Sequence, residues 1–294
     1  MKKVIALDLG GTSLKGAVVD EDGGIGIRME EPTAELSKED LVSVIVEMLK
    51  NLSEEGDVKM VGMGMPGPLD PFSGTVLVTP NLPFKEPFEM KDVLEKETGL
   101  TVHINNDANM AVLGEQWMGA AKGASTVVML TLGTGIGGGI IIDGKLFMGS
   151  RGLGAELGHV TISSDEESDG NFERLASASA LIKKAQDQID PQISDALHVE
   201  DLAHEGNEIA KKIYEDEGRY LGIAIANYIN IFNPEFVILG GGMAKGWDLF
   251  EQTMRDEIKK RAFPMIADSA QILPAELGND AGLLGAAKLA LDAS

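Results

Sequence analysis

One short polar stretch, Asn105-Asn106-Asp107-Ala108-Asn109, places a carboxylate among amides directly after an apolar run. A carboxylate that projects into a cleft can accept the proton of an alcohol while the alcohol oxygen attacks a phosphoryl group. The same residue types also cap helices, because their side chains accept hydrogen bonds from the first backbone N–H groups. The stretch therefore predicts a strand-to-helix junction near Asn106, with Asp107 either a general base or a simple cap.

A second candidate pair, Glu156 and His159, lies three residues apart in the glycine-rich segment 149–159. Donors and acceptors this close together suit the neighbouring hydroxyls of a sugar. A metal site uses the same residue types, but no third ligand at motif spacing accompanies the pair. The pair is thus a candidate sugar site, and an ordinary structural histidine is the alternative.

Three glycine clusters follow apolar runs, at Gly10-Gly11-Thr12, Gly133-Thr134-Gly135 and Gly240-Gly241-Gly242. Glycine lets the backbone approach a ligand closely, and the free N–H groups and hydroxyls beside it suit phosphate oxygens. The first two clusters do not have Walker spacing, and each precedes a second apolar run, which is typical of a β-hairpin. Their repetition predicts two related α/β domains whose glycine loops meet in the cleft between them.

Hydrophobic periodicity predicts the elements that would position these residues. Strands are predicted at 4–7, 17–19, 25–28, 60–65, 102–104, 126–132, 140–142, 236–239 and 271–274. Helices are predicted at 37–51, 92–98, 106–117, 173–187, 199–204, 207–232, 247–260 and 282–291. Pro66-Gly67-Pro68 predicts a rigid loop, and Asn81 falls in an exposed loop.

Composition narrows the classes of function. The 294 residues suggest two domains. The lack of cysteine excludes disulfides and thiolate metal sites and fits a cytoplasmic location. A formal net charge of −22 disfavours general binding to nucleic acid or anionic membranes. An ATP site would need local N–H groups and a divalent cation such as Mg²⁺ to offset this charge.

With these residues in view, the chain resembles the ROK family of sugar kinases (repressor, open reading frame, kinase), and within it the bacterial glucokinases. The resemblance runs from Lys3 to about Ala290. The motifs that carry it are Leu7 to Thr12 with Lys15, Gly62 to Pro68, Asn106 to Asn109 with Gly114-Glu115, Gly133 to Gly139, Gly154 to His159, and Gly240 to Gly242.

The resemblance implies an α/β, two-domain actin-like ATPase fold of the hexokinase and ribonuclease H type. The expected smaller domain comprises residues 1–106 plus 281–294, the larger one residues 107–280, and the active site lies in the cleft between them. The implied activity is ATP- and Mg²⁺-dependent transfer of a phosphoryl group to a hexose, with the 6-hydroxyl of glucose as the first expected acceptor. A homodimer is also implied.

The resemblance assigns roles to individual residues, with Asp107 as the catalytic base. The implied sugar-binding residues are Gly67, Asn81, Asn106, Asp107, Glu156, His159 and Glu173. The implied ATP- and phosphate-binding residues are Asp8, Gly10, Gly11, Thr12, Lys15, Gly133, Thr134, Gly135, Gly241 and Gly242.

Two departures from the family pattern bear on sugar specificity. Many members carry a Cys-x-Cys-Gly-x-x-Gly-Cys zinc cluster soon after the histidine, but Ser163 to Phe172 contains no cysteine, so zinc is not expected. His159 would then need another partner to orient its ring, and an acidic residue of the 165–169 segment is our hypothesis. Asn105 stands where many members have Glu.

Other functions stay open. The motifs also suit phosphorylation of fructose, allose or N-acetylmannosamine, and a polyphosphate donor in place of ATP. A sugar-responsive repressor would need a DNA-binding helix-turn-helix ahead of the first strand, where only three residues precede Val4, and the net charge argues the same way. A non-catalytic sugar sensor would retain the same motifs.

Overall fold

Two mixed β-sheets and one small antiparallel sheet are present in the computed structural model, which describes residues 2–56, 58–77, 82–164 and 169–294. The strands are β1 (Lys3–Leu9), β2 (Ser13–Asp20), β3 (Ile25–Pro32), β4 (Met60–Met65), β5 (Leu69–Asp70), β6 (Thr75–Val76), β7 (Phe88–Glu89), β8 (Thr101–Asn106), β9 (Val127–Leu132), β10 (Ile136–Ile142), β11 (Lys145–Leu146), β12 (Phe236–Gly240) and β13 (Gln271–Pro274). The helices are α1 (Lys38–Gly56), α2 (Met90–Thr98), α3 (Asp107–Met118), α4 (Phe172–Ala176), α5 (Ala178–Gln188), α6 (Ala196–His204), α7 (Glu208–Phe232), α8 (Trp247–Arg261) and α9 (Ala281–Asp292).

The two large sheets share one topology. The first has the order β3-β2-β1-β4-β8, and the second has the order β11-β10-β9-β12-β13. In both, the first three strands in chain order form antiparallel pairs and the remaining strands run parallel. The matching order confirms the repeated α/β halves that the glycine clusters predict, and the β1–β2 and β9–β10 hairpins are both present.

Helices α3 and α9 lie between the two sheets. Buried side chains of both helices form one apolar cluster with residues of β1 and β2 on one side and of β9 and β10 on the other. Helix α9 packs on β1 and β4, while α3 packs on β9 and β10. Helix α9 therefore returns to the first sheet, as the family resemblance implies.

Glycines let the backbones of α3 and α9 pack directly against each other. A Cβ added to Gly285 would lie 1.7 Å from the carbonyl oxygen of Met110, and one added to Gly114 would lie 2.2 Å from that of Ala281. On the other side of α9, a Cβ on Gly62 would lie 1.8 Å from the carbonyl oxygen of Ala286. The helix pair is thus packed between the sheets with no room for a side chain at these contacts.

The structure corrects several sequence predictions. The predicted helix 173–187 is two helices, α4 and α5, because Ser177 has extended backbone angles and its hydroxyl caps α5 by accepting from the Ala180 N–H. The sheet β5-β6-β7 was not predicted, because strands of two residues show no periodicity. Within the part of the chain that the structure describes, no helix combines the length and apolar composition needed to cross a bilayer.

Substituting Gly285 with Ala tests the packing of the helix pair. The new methyl group would overlap the Met110 carbonyl, so α3 and α9 would have to separate, and we expect a loss of about 2 kcal/mol or more in the free energy of unfolding. Calorimetric Tm is the measurement. Gly11→Ala is the control, because an added Cβ there has no atom within 4 Å among the described residues. Equal Tm values for the two variants would contradict the packing argument.

Candidate functional site

A cleft of about 720 Å³ opens at the start of α3 and contains most of the candidate residues. Its walls come from the loop after β4, the α3 N-terminus, the β9–β10 hairpin and the segment before α4. The residues lining it are Pro66, Gly67, Pro68, Leu82, Asn106, Asp107, Thr131, Gly133, Thr134, Gly135, Ile136, Gly137, Glu156, His159, Glu173 and Gly241. The sugar candidates that the structure describes therefore face the same cavity as the second glycine loop.

Asn106 and Asp107 sit where β8 ends and α3 begins. Asn106 is the N-cap: its Oδ1 accepts from the Ala108 N–H at 2.9 Å, and its Nδ2 donates to the Gly67 carbonyl at 3.4 Å. Asp107 Oδ1 accepts from the same N–H at 2.8 Å. Because the cap is Asn106, Asp107 occupies the first helical position and its carboxylate opens onto the cleft. The helix start thus fixes both side chains at the cavity wall.

The environment of Asp107 raises its pKa to about 6, first by desolvation among the surrounding protein atoms and further by the neighbouring carboxylates of Asp8 and Glu156. The Ala108 N–H opposes this shift by stabilising the ionised form. A shifted carboxylate in a cleft is typical of acid–base sites. Asp107 is therefore ionised at neutral pH but holds its proton more tightly than an ordinary aspartate.

The segment with Glu156 and His159 forms a short 3₁₀ turn, Leu157–His159. The buried Tyr228 of α7 donates its hydroxyl to the Leu157 carbonyl at 2.6 Å. Ala155, directly before Glu156, has a φ of +66°, a conformation that non-glycine residues rarely adopt. This strained backbone and the tyrosine anchor together set where Glu156 and His159 enter the cleft.

Glu173, on the first turn of α4, reaches the second glycine loop. Its Oε2 accepts from the Ile136 N–H at 2.8 Å. Gly241 approaches the same region from β12 with a φ of +88°, and a Cβ there would lie 2.3 Å from the Leu132 carbonyl oxygen. The two glycine segments of the second sheet are therefore held beside each other and beside a carboxylate.

The first glycine loop lies next to this cleft but does not line it. Asp8, at the end of β1, pairs in register with Lys15 of β2. Burial raises the pKa of Asp8, and Lys15 opposes that rise. Since Asp8 also raises the pKa of Asp107, the two carboxylates are electrostatic neighbours. Gly10, Gly11, Thr12 and Gly242 are likewise outside the lining of this cavity.

Two predictions touch residues that the structure does not describe. Asn81 lies outside the described residues, as do residues 165–168 of the segment proposed to orient His159. Asp169, the remaining acidic member, pairs instead with Arg174 at 2.9 Å. Sequence reasoning missed Tyr228 and Ser179, whose contacts with the site cross dozens of residues and leave no local pattern.

The geometry of the sheets and the cleft identifies the fold. Paired sheets of one topology, with a glycine-lined acidic cleft between elements of both, define the actin-like ATPase fold. The chain belongs to the ROK family, whose profile matches residues 4–293. It is 37% identical to a glucokinase of Thermotoga maritima over 98% of this chain and 96% of the relative.

Solved structures agree with this assignment. A ROK hexokinase from Thermus thermophilus matches with a TM-score of 0.86 and 32% identity, covering 99% of this chain and 98% of the other. A ROK glucokinase from Streptomyces griseus, solved in complex with glucose and AMPPNP, matches with a TM-score of 0.82 and 32% identity over 99% of both chains.

The raised pKa of Asp107 predicts a pH-dependent stability effect. Because the native pKa of about 6 exceeds the ordinary value of 3.8, ionisation penalises the folded state as pH rises from 4 to 6, and the penalty persists above that range. Asp107→Asn removes the charge, so its Tm relative to wild type should rise between pH 4 and pH 8. Asp143→Asn, at an exposed turn, is the control. A difference in Tm that does not change with pH would contradict the shift.

Proposed function

We propose that this protein is an ATP-dependent hexose kinase that transfers the γ-phosphoryl group of ATP to the 6-hydroxyl of glucose. The observation that carries the proposal is one cavity lined both by Asp107, whose pKa is raised to about 6, and by the glycine loop Gly133-Thr134-Gly135. Phosphoryl transfer needs these two features together, a proton acceptor and a cradle of N–H groups for phosphate oxygens. The named glucokinase relatives support glucose as the acceptor.

Asp107 acts as the base in this proposal. An aspartate with a pKa near 6 is largely ionised at pH 7 and above, and accepts a proton more readily than an ordinary carboxylate does. The helix N-terminus holds its Oδ1 through the Ala108 N–H, which leaves Oδ2 for the sugar hydroxyl. The sugar hydroxyl oxygen forms a bond to the γ-phosphorus while the bond from that phosphorus to the bridging oxygen breaks and ADP leaves. The proton of the sugar hydroxyl passes to Asp107.

A divalent cation would offset the negative charge around Asp107. The Asp8 carboxylate raises the pKa of Asp107, and an ATP tail brings more negative charge, so a cation is needed to offset repulsion. Mg²⁺ prefers oxygen ligands and takes one or two carboxylates plus substrate phosphates, a donor set that Asp8 can supply. When bound, Mg²⁺ neutralises charge on the phosphates. Lys15, opposite Asp8, would hold a phosphate oxygen with Gly10, Gly11 and Thr12.

The sugar would be recognised by Asn106, Glu156, His159 and Glu173, with Gly67 contributing backbone. These groups line one wall of the cleft around Asp107. Their carboxylates and ring nitrogens are suited to the neighbouring hydroxyls of a hexose. We also assign Asn81 to the sugar site, on family resemblance alone.

We divide the chain into a smaller domain of residues 1–106 plus 281–294 and a larger domain of residues 107–280. The starts of α3 and α9, at Asp107 and Ala281, support these limits. Closure of the two domains around the substrates would exclude water and limit wasteful ATP hydrolysis.

The family resemblance also implies a homodimer. Analytical ultracentrifugation of the purified protein would test this oligomeric state.

A different hexose is the second candidate for the substrate. Asn105 is buried, its Oδ1 accepts from both the Asn106 N–H and Asn109 Nδ2, and it stands where many relatives have Glu. A neutral amide beneath the sugar-binding Asn106 changes the local charge, so fructose, allose or N-acetylmannosamine belongs on the substrate panel. A sugar-sensing role without catalysis predicts binding with no ADP release.

A substrate panel is the direct test of the proposed function. Purified protein with Mg²⁺ and ATP is assayed for ADP release with a dozen sugars, and with polyphosphate replacing ATP. We expect the highest kcat/KM with glucose. Sugar binding without phosphorylation would favour a sensor, and a preference for another hexose would correct the acceptor.

Asp107→Asn tests the base. Loss of a positioned general base lowers kcat by about 10²–10⁴-fold, while sugar affinity measured by calorimetry should change little because the amide keeps the same shape. Asp143→Asn is the matched control and should keep wild-type kcat. Near-normal kcat in Asp107→Asn would rule out Asp107 as the base.

A further inference from the structure

A bend between α4 and α5 joins two parts of the cleft. One is the wall with the sugar candidates Asn106, Glu156, His159 and Glu173, which we name the sugar wall, and the other is the second glycine loop. We name residues 172–188 the α4–α5 elbow. Its bend is Ser177, which is buried, has φ −80° and ψ 164°, and accepts from the Ala180 N–H at 3.3 Å. Because a helix start leaves its first N–H groups without intrahelical partners, the bend turns those of α5 toward other acceptors.

One backbone N–H and one hydroxyl of the first turn of α5 reach the second glycine loop. The Ala178 N–H donates to the Gly133 carbonyl at 2.9 Å, and the Ser179 hydroxyl donates to the Thr134 carbonyl at 2.8 Å. At the other end of the loop, the Ile136 N–H donates to Glu173 Oε2 at 2.8 Å. The elbow therefore bonds the loop at its beginning, middle and end.

The Glu173 carboxylate lies directly against Gly135, so a side chain there would displace it. A Cβ on Gly135 would lie 2.4 Å from Glu173 Oε2. The missing side chain at Gly135 leaves space for the Glu173 carboxylate beside the loop. Glu173 also lines the cleft together with the sugar candidates. One side chain therefore touches both the phosphate loop and the sugar wall.

The elbow is supported from behind by α7. Lys184 Nζ donates to the Leu175 carbonyl at 2.6 Å and to Glu217 Oε1 at 2.8 Å, and Glu217 is completely buried. These two hydrogen bonds of the partly exposed Lys184, one of them to a buried glutamate, hold the end of α4 to α5 and α7. A movement of Glu173 on α4 would therefore also move α5, and with α5 the second glycine loop.

We propose that the α4–α5 elbow couples the sugar and nucleotide subsites, with Glu173 as the group they share and Ser179 as a positioning residue for the phosphate loop. This rests on the proposed function. A sugar that binds Glu173 orders the carboxylate that accepts from Ile136, and so orders the loop that receives the phosphates. By linkage, a bound nucleotide must favour the sugar by the same factor.

Calorimetry on the intact protein measures this coupling. The Kd of AMPPNP with Mg²⁺ is determined with and without saturating glucose, and the ratio of the two values is the coupling factor. We expect a factor of about fivefold or more in wild type. In Ser179→Ala, AMPPNP binding with glucose present should weaken by about three- to tenfold, the coupling factor should fall toward one, and the Kd of glucose alone should stay unchanged.

Ser43→Ala is the matched control. Ser43 is also an exposed serine that donates to a backbone carbonyl at 2.8 Å, but on α1. Its coupling factor should equal that of wild type. Ser179→Ala weakening AMPPNP equally with and without glucose would overturn the proposal, because it would show positioning without coupling.

Glu173 variants test the shared group. Glu173→Ala should weaken both glucose and AMPPNP, whereas Glu173→Gln keeps an oxygen that accepts from Ile136 and should recover most of the AMPPNP affinity. Identical AMPPNP affinities for the two variants would overturn the role of Glu173. A protein that binds no hexose overturns this inference and the proposed function together. Phosphorylation of glucose with an unchanged coupling factor in Ser179→Ala overturns only the coupling.

Discussion

The backbone contact between α3 and α9 is the constraint on which the rest of the site depends. Side chains of both helices fill the space between the two sheets, and at Gly285 and Gly114 the helices pack so closely that an added Cβ would overlap a backbone carbonyl of the other helix. Because α3 begins with the candidate base, the position of this helix sets the position of Asp107 relative to both sheets. A bulkier contact would push α3, which packs on β9 and β10, away from α9 and the first sheet, and would so move the carboxylate away from Asp8 of β1.

Electrostatics add a second constraint on the same residue. Asp8 and Glu156 come from different elements, yet both raise the pKa of Asp107. Bringing three carboxylates toward one cleft costs stability at neutral pH, and a chain with a net charge of −22 gives no long-range compensation. The Ala108 N–H at the helix start offsets part of this cost by stabilising the ionised form of Asp107.

Sequence patterns predicted what is local and missed what is not. The hairpins, the strand-to-helix junction at Asn106 and the long helices follow from glycine position, capping residues and hydrophobic period, and the structure confirms them. The break at Ser177 was missed, because Ser is tolerated inside helices and its capping role depends on the acceptors that the Gly133 loop offers. The Tyr228 and Ser179 contacts form only after distant segments pack together. Raised pKa values likewise require burial, which no spacing reveals.

The turn that carries His159 is held by contacts from α7 and β10. Many ROK proteins hold this segment near a zinc cluster, and this chain has no cysteine to form one. Here the buried Tyr228 hydroxyl donates to the Leu157 carbonyl. Gly158 lets the turn lie against β10, since a Cβ would come within 2.0 Å of the Ile136 carbonyl oxygen. Ile136 also bonds to Glu173 through its N–H. Ile136 of β10 thus packs against the turn through its carbonyl and bonds to α4 through its N–H. The turn with His159 and the helix with Glu173 are therefore both positioned by the hairpin that would hold the phosphates.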